Sequence, residues 1–450
     1  MDALRTDLYQ LTMAAGYFHR GMRHDVATCE MFVRRLPRPR RYLVAMGRER
    51  VLSYLAGLSF TAEEIDYLGK LPSLRDAMTD DFKKYLADFR FTGDVWAVPE
   101  GTVVFANEPM FRITAPLIEA QLVETFLLSA VNHGTMIASK AARIVRAAGD
   151  AGVMEFGSRR THPGAAMDAA RDACAAGFVA TSNVEAGMRF GLPVTGTAAH
   201  MWTMAHASEE AAFEGYLAVF PSAAILLIDT YDTIRGAERA ARIAKEKLKG
   251  VRLDSGDLLA LSRGVRKVLD ENGCASAKIV ASGDLNEYKI AALRREGAPI
   301  DLYGVGTDLV CSIDAPSLGG VYKLVEHGRG GERIAIAKFS EGKGTLPGRH
   351  QVHRFRTGAG LHDVIALEDE DPKTLGEGEA TPLLELAMKE GVRTSGTEPV
   401  EAIRARVKAG LDALPAEAHT LEEGPAAVTA QLSPKLAALV EVVRARFVAH

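Results

Sequence analysis

Three short apolar runs in the second half of the chain each stop in a loop of glycine and acid. They are Gly250-Val-Arg-Leu-Asp254-Ser-Gly-Asp257, Lys278-Ile-Val-Ala-Ser-Gly283-Asp284-Leu-Asn286 and Ile300-Asp-Leu-Tyr-Gly304-Val-Gly306-Thr307-Asp308. Runs this short, bounded by glycines and separated by helix-like segments, predict buried parallel strands that each feed a helix. The rhythm begins earlier, with strand ends expected at Val153-Met-Glu-Phe156-Gly-Ser-Arg159-Arg160, Phe178-Val-Ala-Thr-Ser182-Asn183, Val194-Thr-Gly-Thr-Ala-Ala-His200 and Ile225-Leu-Leu-Ile-Asp229-Thr-Tyr-Asp232. About seven strand-and-helix units therefore run from Val153 to Gly306. Right-handed crossovers wind such a series into a barrel or lay it out as an open sheet. No strand is followed by the G-x-G-x-x-G of a dinucleotide fold. The expectation is an α/β protein with an irregular TIM-like barrel over residues 117–325.

The flanks have another period. Thr6-Asp-Leu-Tyr9-Gln-Leu-Thr-Met-Ala-Ala-Gly-Tyr17-Phe predicts a helix with Thr6 as N-cap. Leu8, Leu11 and Ala15 form one apolar stripe and Tyr9, Met13 and Tyr17 a second, so this helix is expected to be covered on both sides, by its own core or by another subunit. Thr28 to Val33 alternates as a strand, residues 51–90 are helical with a break at Leu71-Pro-Ser, and Val95–Phe105 and Met110–Pro116 are strands around a turn. A helical pattern from Leu117 to Ala147 carries His133, taken as structural. Beyond residue 325, Arg333–Ser340 and Gln351–Phe355 on either side of a Gly-rich turn predict a hairpin, and helices follow at about 399–413 and 433–447. A lone hairpin is not stable. The segments 1–116 and 326–450 are therefore expected to combine into one α/β sandwich.

With 450 residues, 47% of them hydrophobic and 25% charged, the chain has the composition of an ordinary globular protein. A formal net charge of -4 gives no reason to expect nucleic acid or an anionic membrane as partner. The four cysteines, Cys29, Cys174, Cys274 and Cys311, are widely spaced and form no C-x-x-C, which fits a reducing compartment. There is no signal-peptide layout at the start and no apolar run of bilayer-spanning length. A soluble, cytoplasmic protein is expected.

In folds of this kind the loops leaving the strand C-terminal ends carry the chemistry. Glycine lets backbone N–H groups approach a phosphate, and the next helix turns its positive end to the same space. Nearby acids can hold a sugar hydroxyl or Mg2+. These loops thus predict a pocket for a phosphorylated sugar. Arg159 and Arg160 beside Phe156 suit a pyrophosphate or carboxylate through two-point guanidinium contacts, although two surface arginines would look the same. Arg252 is expected at the same mouth. His200 is either a hydrogen-bonded loop histidine or a nucleophile that accepts a phosphoryl group; His162 and His206 are weaker candidates. Asp254, Asp257 and Asp284 are helix N-caps or ribose ligands, with Asp257 evenly balanced. Gly304-Val-Gly306-Thr307 lies where barrels often place a phosphate site. No tight His spacing suggests a metal site.

Together these segments resemble the nicotinate phosphoribosyltransferase family along nearly the whole chain. The resemblance is carried by Thr6-Asp-Leu-Tyr9-Gln-Leu-Thr, Phe156-Gly-Ser-Arg159-Arg160, Thr181-Ser-Asn183-Val, Gly196-Thr-Ala-Ala-His200, Val251-Arg-Leu-Asp254-Ser-Gly-Asp257, Ala281-Ser-Gly283-Asp284-Leu-Asn286-Glu, Gly304-Val-Gly306-Thr307-Asp-Leu and Leu346-Pro-Gly. It implies attack of nicotinate on C1 of phosphoribosyl pyrophosphate, giving nicotinate mononucleotide and pyrophosphate, with Mg2+ on the pyrophosphate and ATP hydrolysis coupled through a phosphohistidine at His200. It also implies a homodimer in which Phe156 and Tyr9 of the neighbouring subunit sandwich the pyridine ring. By the same carry-over, Arg159 and Arg252 hold anionic groups, Asp254 and Asp284 the ribose, and Gly283, Gly304, Gly306 and Thr307 the 5-phosphate. Neutral Asn183 favours nicotinate over nicotinamide, because a carboxylate there would repel the substrate's own by up to ~4 kcal/mol in a partly shielded site. Met201 stands where the family pattern has Ser. The rivals are a nicotinamide or quinolinate enzyme of the same class, a sugar-phosphate barrel aldolase, and a non-catalytic binder of phosphoribosyl compounds. The aldolase would want a strand-end lysine that these loops do not offer.

Overall fold

The computed structural model describes residues 3–357 and 360–448. It divides into two compact units, Met1–Met136 with Ser317–His450, and Ile137–Pro316. The first boundary falls inside the long helix Glu124–Ala148 and the second ahead of the strand Gly320–Arg329, where the sequence placed them after 116 and 325.

The unit formed by both chain ends carries an antiparallel seven-stranded sheet. Its order is Glu332–Ala335, Gly320–Arg329, Val26–Val33, Pro109–Pro116, Asp94–Ala97, Glu385–Lys389, Val392–Arg393. Strands from the two ends pair directly, Val26–Val33 with Gly320–Arg329 and Asp94–Ala97 with Glu385–Lys389. The expected hairpin between Arg333–Ser340 and Gln351–Phe355 does not form. Glu332–Ala335 turns back on Gly320–Arg329, while His350–Thr357 pairs with Gly360–Leu367 in a separate four-stranded sheet. Both runs alternate suitably for a strand, and long-range partners decide the pairing. Met31, Phe82, Val95, Phe111, Ile113 and Met388 are among the residues that fill the core.

The first helix, Leu8–His19, has Asp7 and not Thr6 at its N-cap, without a side-chain cap bond. Gln10, Leu11, Ala14 and Ala15 are its buried face. Leu8, Tyr9 and Met13 are 47%, 50% and 37% exposed, so Tyr9 and Met13 of the second stripe face outward in the single chain, while Tyr17 packs partly buried against the core. Leu8, expected inside, is the first helical residue.

The unit Ile137–Pro316 holds a curled, half-barrel parallel sheet of six strands. Their spatial order is Ala180–Thr181, Gly152–Glu155, Leu302–Val305, Lys278–Ala281, Gly250–Leu253, Ile225–Leu227. The seventh expected strand, at Val194, is reduced to a single bridge with Thr181, and among the described residues the outermost strands do not pair to close a barrel. The strands are short and mostly buried, as parallel strands covered on both faces must be. Helices between them pack closely through small residues; Ala237, Ala240, Ala241 and Ala244 are all buried in the helix Thr233–Ala244. Because the strands are parallel, their C-terminal ends share one edge. The four central ones there deliver Phe156, Asp254, Ser282 and Gly306 as neighbours.

Candidate active site

Arg252 is the centre of the strand-end cluster. Its Nε donates to Ser282 Oγ (2.9 Å), one terminal nitrogen to Thr197 Oγ1 (3.1 Å) and the other to Asp254 Oδ1 (2.7 Å). These contacts fix the guanidinium, whose Cζ lies 5.5 Å from the centroid of the Phe156 ring. An arginine has five N–H donors; three are used here, so two remain for an anion.

Asp254 accepts from Ser282 Oγ as well as from Arg252. Burial pushes its pKa up, but the Ser282 hydrogen bond and the Arg252 charge outweigh burial and hold the carboxyl below its ordinary value. Its backbone N–H donates to Asp229 Oδ2 at 2.9 Å, and Ser255 Oγ donates to the same oxygen at 2.7 Å. The other Asp229 oxygen is buried and has no hydrogen-bond partner. It lies 4.0 Å from His200 Nε2, with Asp254 Oδ2 3.9 Å from that nitrogen. The His200 ring is 40% exposed, and its Nδ1 is 3.1 Å from Thr230 Oγ1. A half-exposed imidazole thus rests between two carboxylates and a hydroxyl, within reach of a ligand from the open side.

The glycines serve two purposes. Gly283 has φ +96°, and a Cβ there would stand 2.1 Å from the Asp254 carbonyl oxygen, so the loop tolerates only glycine. A Cβ on Gly304 would lie 2.5 Å from Phe156 Cδ2 and 3.2 Å from Ser282 Cβ. Gly304 sits inside the strand Leu302–Val305, opposite Met154, so its backbone belongs to the sheet ladder. Its missing side chain makes room for the aromatic ring. Gly306 and Thr307 follow the strand end, and Asp284, in a left-handed conformation (φ +47°), is exposed beside Gly283.

Beneath Phe156, the Glu155 carboxyl accepts from the Gly157 N–H and, at 2.6 Å, from Thr181 Oγ1. Burial, outweighing both bonds, pushes its pKa up. Asn183 caps the helix Val184–Phe190 by accepting from Ala186 N (2.9 Å), and its Nδ2 donates to Ser158 Oγ (3.1 Å). Arg159 is exposed in the same loop. Asp257 resolves as a helix N-cap, accepting from Leu259 N and Ala260 N at 3.1 Å each. Tyr9 belongs to the other unit, beside a groove of about 380 Å3 lined by Met13, Tyr17, Glu124 and Lys323.

The structure therefore joins Phe156, His200, Arg252, Asp254, Gly283 and Gly304 through direct contacts, with Asp284, Gly306 and Thr307 adjacent in sequence. Asn183 and Arg159 enter through the Ser158 loop. Sequence reasoning passed over Asp229, Thr197 and Ser282; Asp229 carried a usable signal, an acid closing an apolar run one residue before Thr230. Among the described residues no three His, Cys, Asp or Glu side chains group to hold a metal ion, and no helix is long and apolar enough to cross a membrane.

A parallel α/β unit carries paired acids, an anchored arginine and a histidine at its strand ends, an arrangement whose chemistry suits an anionic, hydroxylated ligand. Residues 4–132 match the nicotinate phosphoribosyltransferase (NAPRTase) N-terminal domain, and residues 152–339 match the nicotinate phosphoribosyltransferase (NAPRTase) family. The chain belongs to the nicotinate phosphoribosyltransferase family. A nicotinate phosphoribosyltransferase of Mycobacterium tuberculosis is 42% identical, over 98% of this chain and 94% of its own. One from Bacillus subtilis is 45% identical over 82% of this chain and 76% of its own. The crystal structure of human nicotinic acid phosphoribosyltransferase superposes with a TM-score of 0.83 at 29% identity, covering 97% of this chain and 99% of that one.

Proposed function

We propose that this chain transfers the phosphoribosyl group of phosphoribosyl pyrophosphate to nicotinate, releasing pyrophosphate and nicotinate mononucleotide, with ATP hydrolysis coupled through a phosphohistidine at His200. The observation that carries the reading is Arg252: fixed on three sides by Ser282, Thr197 and Asp254, lying against Phe156, and left with two donors for an anionic group. The family's names for its members point the same way. On this reading the half-barrel, extended by the Val194 bridge, is an irregular TIM-like barrel, and the unit from both chain ends is the sandwich. The cytoplasm is the proposed location, and a homodimer brings Tyr9 to the neighbouring site.

The reaction needs little proton transfer. The pyridine nitrogen supplies its own lone pair, and the C1–O bond to pyrophosphate breaks toward an oxocarbenium-like centre, so rate depends on charge placement. Phe156 offers a flat face for the pyridine. Asp254, held ionised by Ser282 and Arg252, and exposed Asp284 accept from ribose hydroxyls while their charge favours the cationic centre. Gly283, Gly304, Gly306 and Thr307 receive the 5-phosphate, and Arg159 and Arg252 pair with the anionic ends of the substrates. A Mg2+ carried by the pyrophosphate would supply neutralisation of part of its charge. In the coupled step a His200 ring nitrogen attacks the γ-phosphorus of ATP, the bond to the bridging oxygen breaks and ADP leaves; water later cleaves the phosphohistidine to phosphate.

The test is one assay series: phosphoribosyl pyrophosphate with nicotinate or nicotinamide, each with and without ATP, following mononucleotide and pyrophosphate. Nicotinate mononucleotide should form, faster with ATP, and the amide should be a poor substrate. Absence of product from nicotinate under all conditions would overturn the reading.

A further inference from the structure

Behind the strand-end loops lies an ion cluster that plays no part in the chemistry just described. Lys140, on the helix Glu124–Ala148, is 1% exposed, yet its Nζ lies 2.8 Å from Glu287 Oε2, 3.0 Å from Asp314 Oδ1 and 3.2 Å from Asp308 Oδ1. Burial alone would lower the lysine's pKa, but Glu287 and Asp314 outweigh it and raise the pKa, so the ammonium stays charged. One turn further along the helix, Arg143 Nε donates to Glu287 Oε1 at 3.2 Å and a terminal nitrogen to the Tyr288 hydroxyl at 3.2 Å.

The carboxylates come from informative places. Glu287 opens the helix Glu287–Arg295, directly after Gly283-Asp284-Leu285-Asn286. Asp308 follows Gly306-Thr307 in the next loop and also accepts from Asn286 Nδ2 at 3.3 Å. Asp314 lies in the segment after that. One ammonium therefore bridges the loop assigned to the ribose and the loop assigned to the 5-phosphate. Three acids against Lys140 and Arg143 leave one negative charge in excess; without Lys140 the excess is two, at a place with little water to screen it.

We propose that Lys140 is a positioning residue for phosphoribosyl pyrophosphate, holding the Gly283–Asp284 and Gly306–Thr307 loops at the spacing that spans ribose and 5-phosphate. The proposal rests on the assignment of those loops to that substrate. Lys140 touches no ligand itself; it sets the distance between two ligand-bearing loops from behind. With the ammonium gone, Glu287, Asp308 and Asp314 repel one another, and the loops part. Nicotinate, placed by Phe156 and Arg252, is affected far less.

The experiment compares Lys140→Met, Lys140→Arg and Thr307→Ala in the full chain by steady-state kinetics, with folding checked by circular dichroism. Lys140→Met should raise the KM for phosphoribosyl pyrophosphate by about tenfold or more, with the KM for nicotinate at saturating co-substrate within about threefold, and Lys140→Arg should recover most of the loss. Should Lys140→Met not fold, Asp308→Asn, which keeps the shape and removes one arm of the bridge, should raise the same KM severalfold. A folded Lys140→Met or Asp308→Asn with an unchanged KM overturns the proposal. An unchanged KM in Thr307→Ala instead overturns the loop assignment beneath it, so the two failures are separable.

Discussion

Gly304→Ala is the sharpest perturbation of the candidate site, because it adds one methyl group and no charge. The new Cβ would stand 2.5 Å and 2.6 Å from Phe156 Cδ2 and Cε2, with Ser282 Cβ at 3.2 Å on another side. Ordinary carbon contact begins near ~3.5 Å, so the Phe156 ring must retreat by about 1 Å. Overpacking of this kind costs about 1–3 kcal/mol of stability, which corresponds to a fall in melting temperature of about 2–4 °C per kcal/mol for a unit of about 150–250 residues, the size class of Ile137–Pro316. The ring also carries the proposed stacking face and borders the Arg252 guanidinium. A misplacement of about 1 Å at a reacting centre can cost on the order of 100-fold. The expected result is a folded protein whose kcat/KM for nicotinate falls by about 10- to 100-fold, mostly through KM, with the KM for phosphoribosyl pyrophosphate changed much less. Steady-state rates with each substrate varied in turn, alongside a melting curve, make the measurement. A melting point lowered as expected with an unaltered KM for nicotinate would refute the reasoning, since it would show that the ring moved and the substrate did not notice.

Three further outcomes are expected. His200→Ala should abolish nicotinate-dependent ATP hydrolysis while leaving slow transfer, measured as ADP against mononucleotide; intact coupling removes the histidine from the cycle. Asn183→Asp keeps the helix cap but exchanges the donor facing Ser158 for a charge one residue from Arg159, so the KM for nicotinate should rise by about tenfold, near 1.4 kcal/mol, and an unchanged value ends the acid-selectivity idea. Asp254 has a depressed pKa, so its contribution to stability is present above the unfolded value of about 3.9 and is lost as pH falls through the folded value. Urea unfolding should therefore find the parent more stable than Asp254→Asn at pH 7, with the gap closing below about pH 4; a gap independent of pH contradicts the charge argument.

The parallel strands were legible because burial on both faces leaves a continuous apolar run, and the loops because glycine and acid end each run abruptly. Pairing was less legible. Arg333–Ser340 and Gln351–Phe355 alternate as hairpin arms should, yet each finds a different partner, and nothing local in an alternating run names the strand it will meet. The Val194 strand dwindles to a bridge because its neighbour, Ala180–Thr181, is only two residues long. Within the site, residue types alone could not separate a glycine that frees a backbone from one that makes room. Gly283 and Gly304 look alike in sequence, and only the Asp254 carbonyl over one and the Phe156 ring over the other tell them apart. Asp257 was evenly balanced between helix cap and ligand, whereas Asp254, beside its Ser-Gly pair, was the better placed for a ribose. The first turns out to cap a helix, and the second is held among Arg252, Ser282 and the His200 imidazole.

That last arrangement suggests how the proposed coupling could act without any large motion. His200 Nε2 lies 4.0 Å from a buried, unsatisfied Asp229 oxygen and 3.9 Å from Asp254. A phosphoryl group on this ring would add roughly 1.5 to 2 negative charges beside two carboxylates, and at about 4 Å a pair of unit charges in a partly shielded setting interacts with up to ~4 kcal/mol. The strain is relieved if the ring swings toward solvent or if a cation moves in. Arg252 is a fixed cation already bonded to Asp254, and its two remaining donors are the groups through which an anionic substrate would be held. Phosphorylation would thus pull on the same Arg252–Asp254 pair that grips the substrate, so the two events share one electrostatic account. Binding of phosphoribosyl pyrophosphate to protein preincubated with ATP should then differ from binding to untreated protein, and Asp229→Asn, which removes one of the opposing charges and leaves Arg252 in place, should narrow that difference.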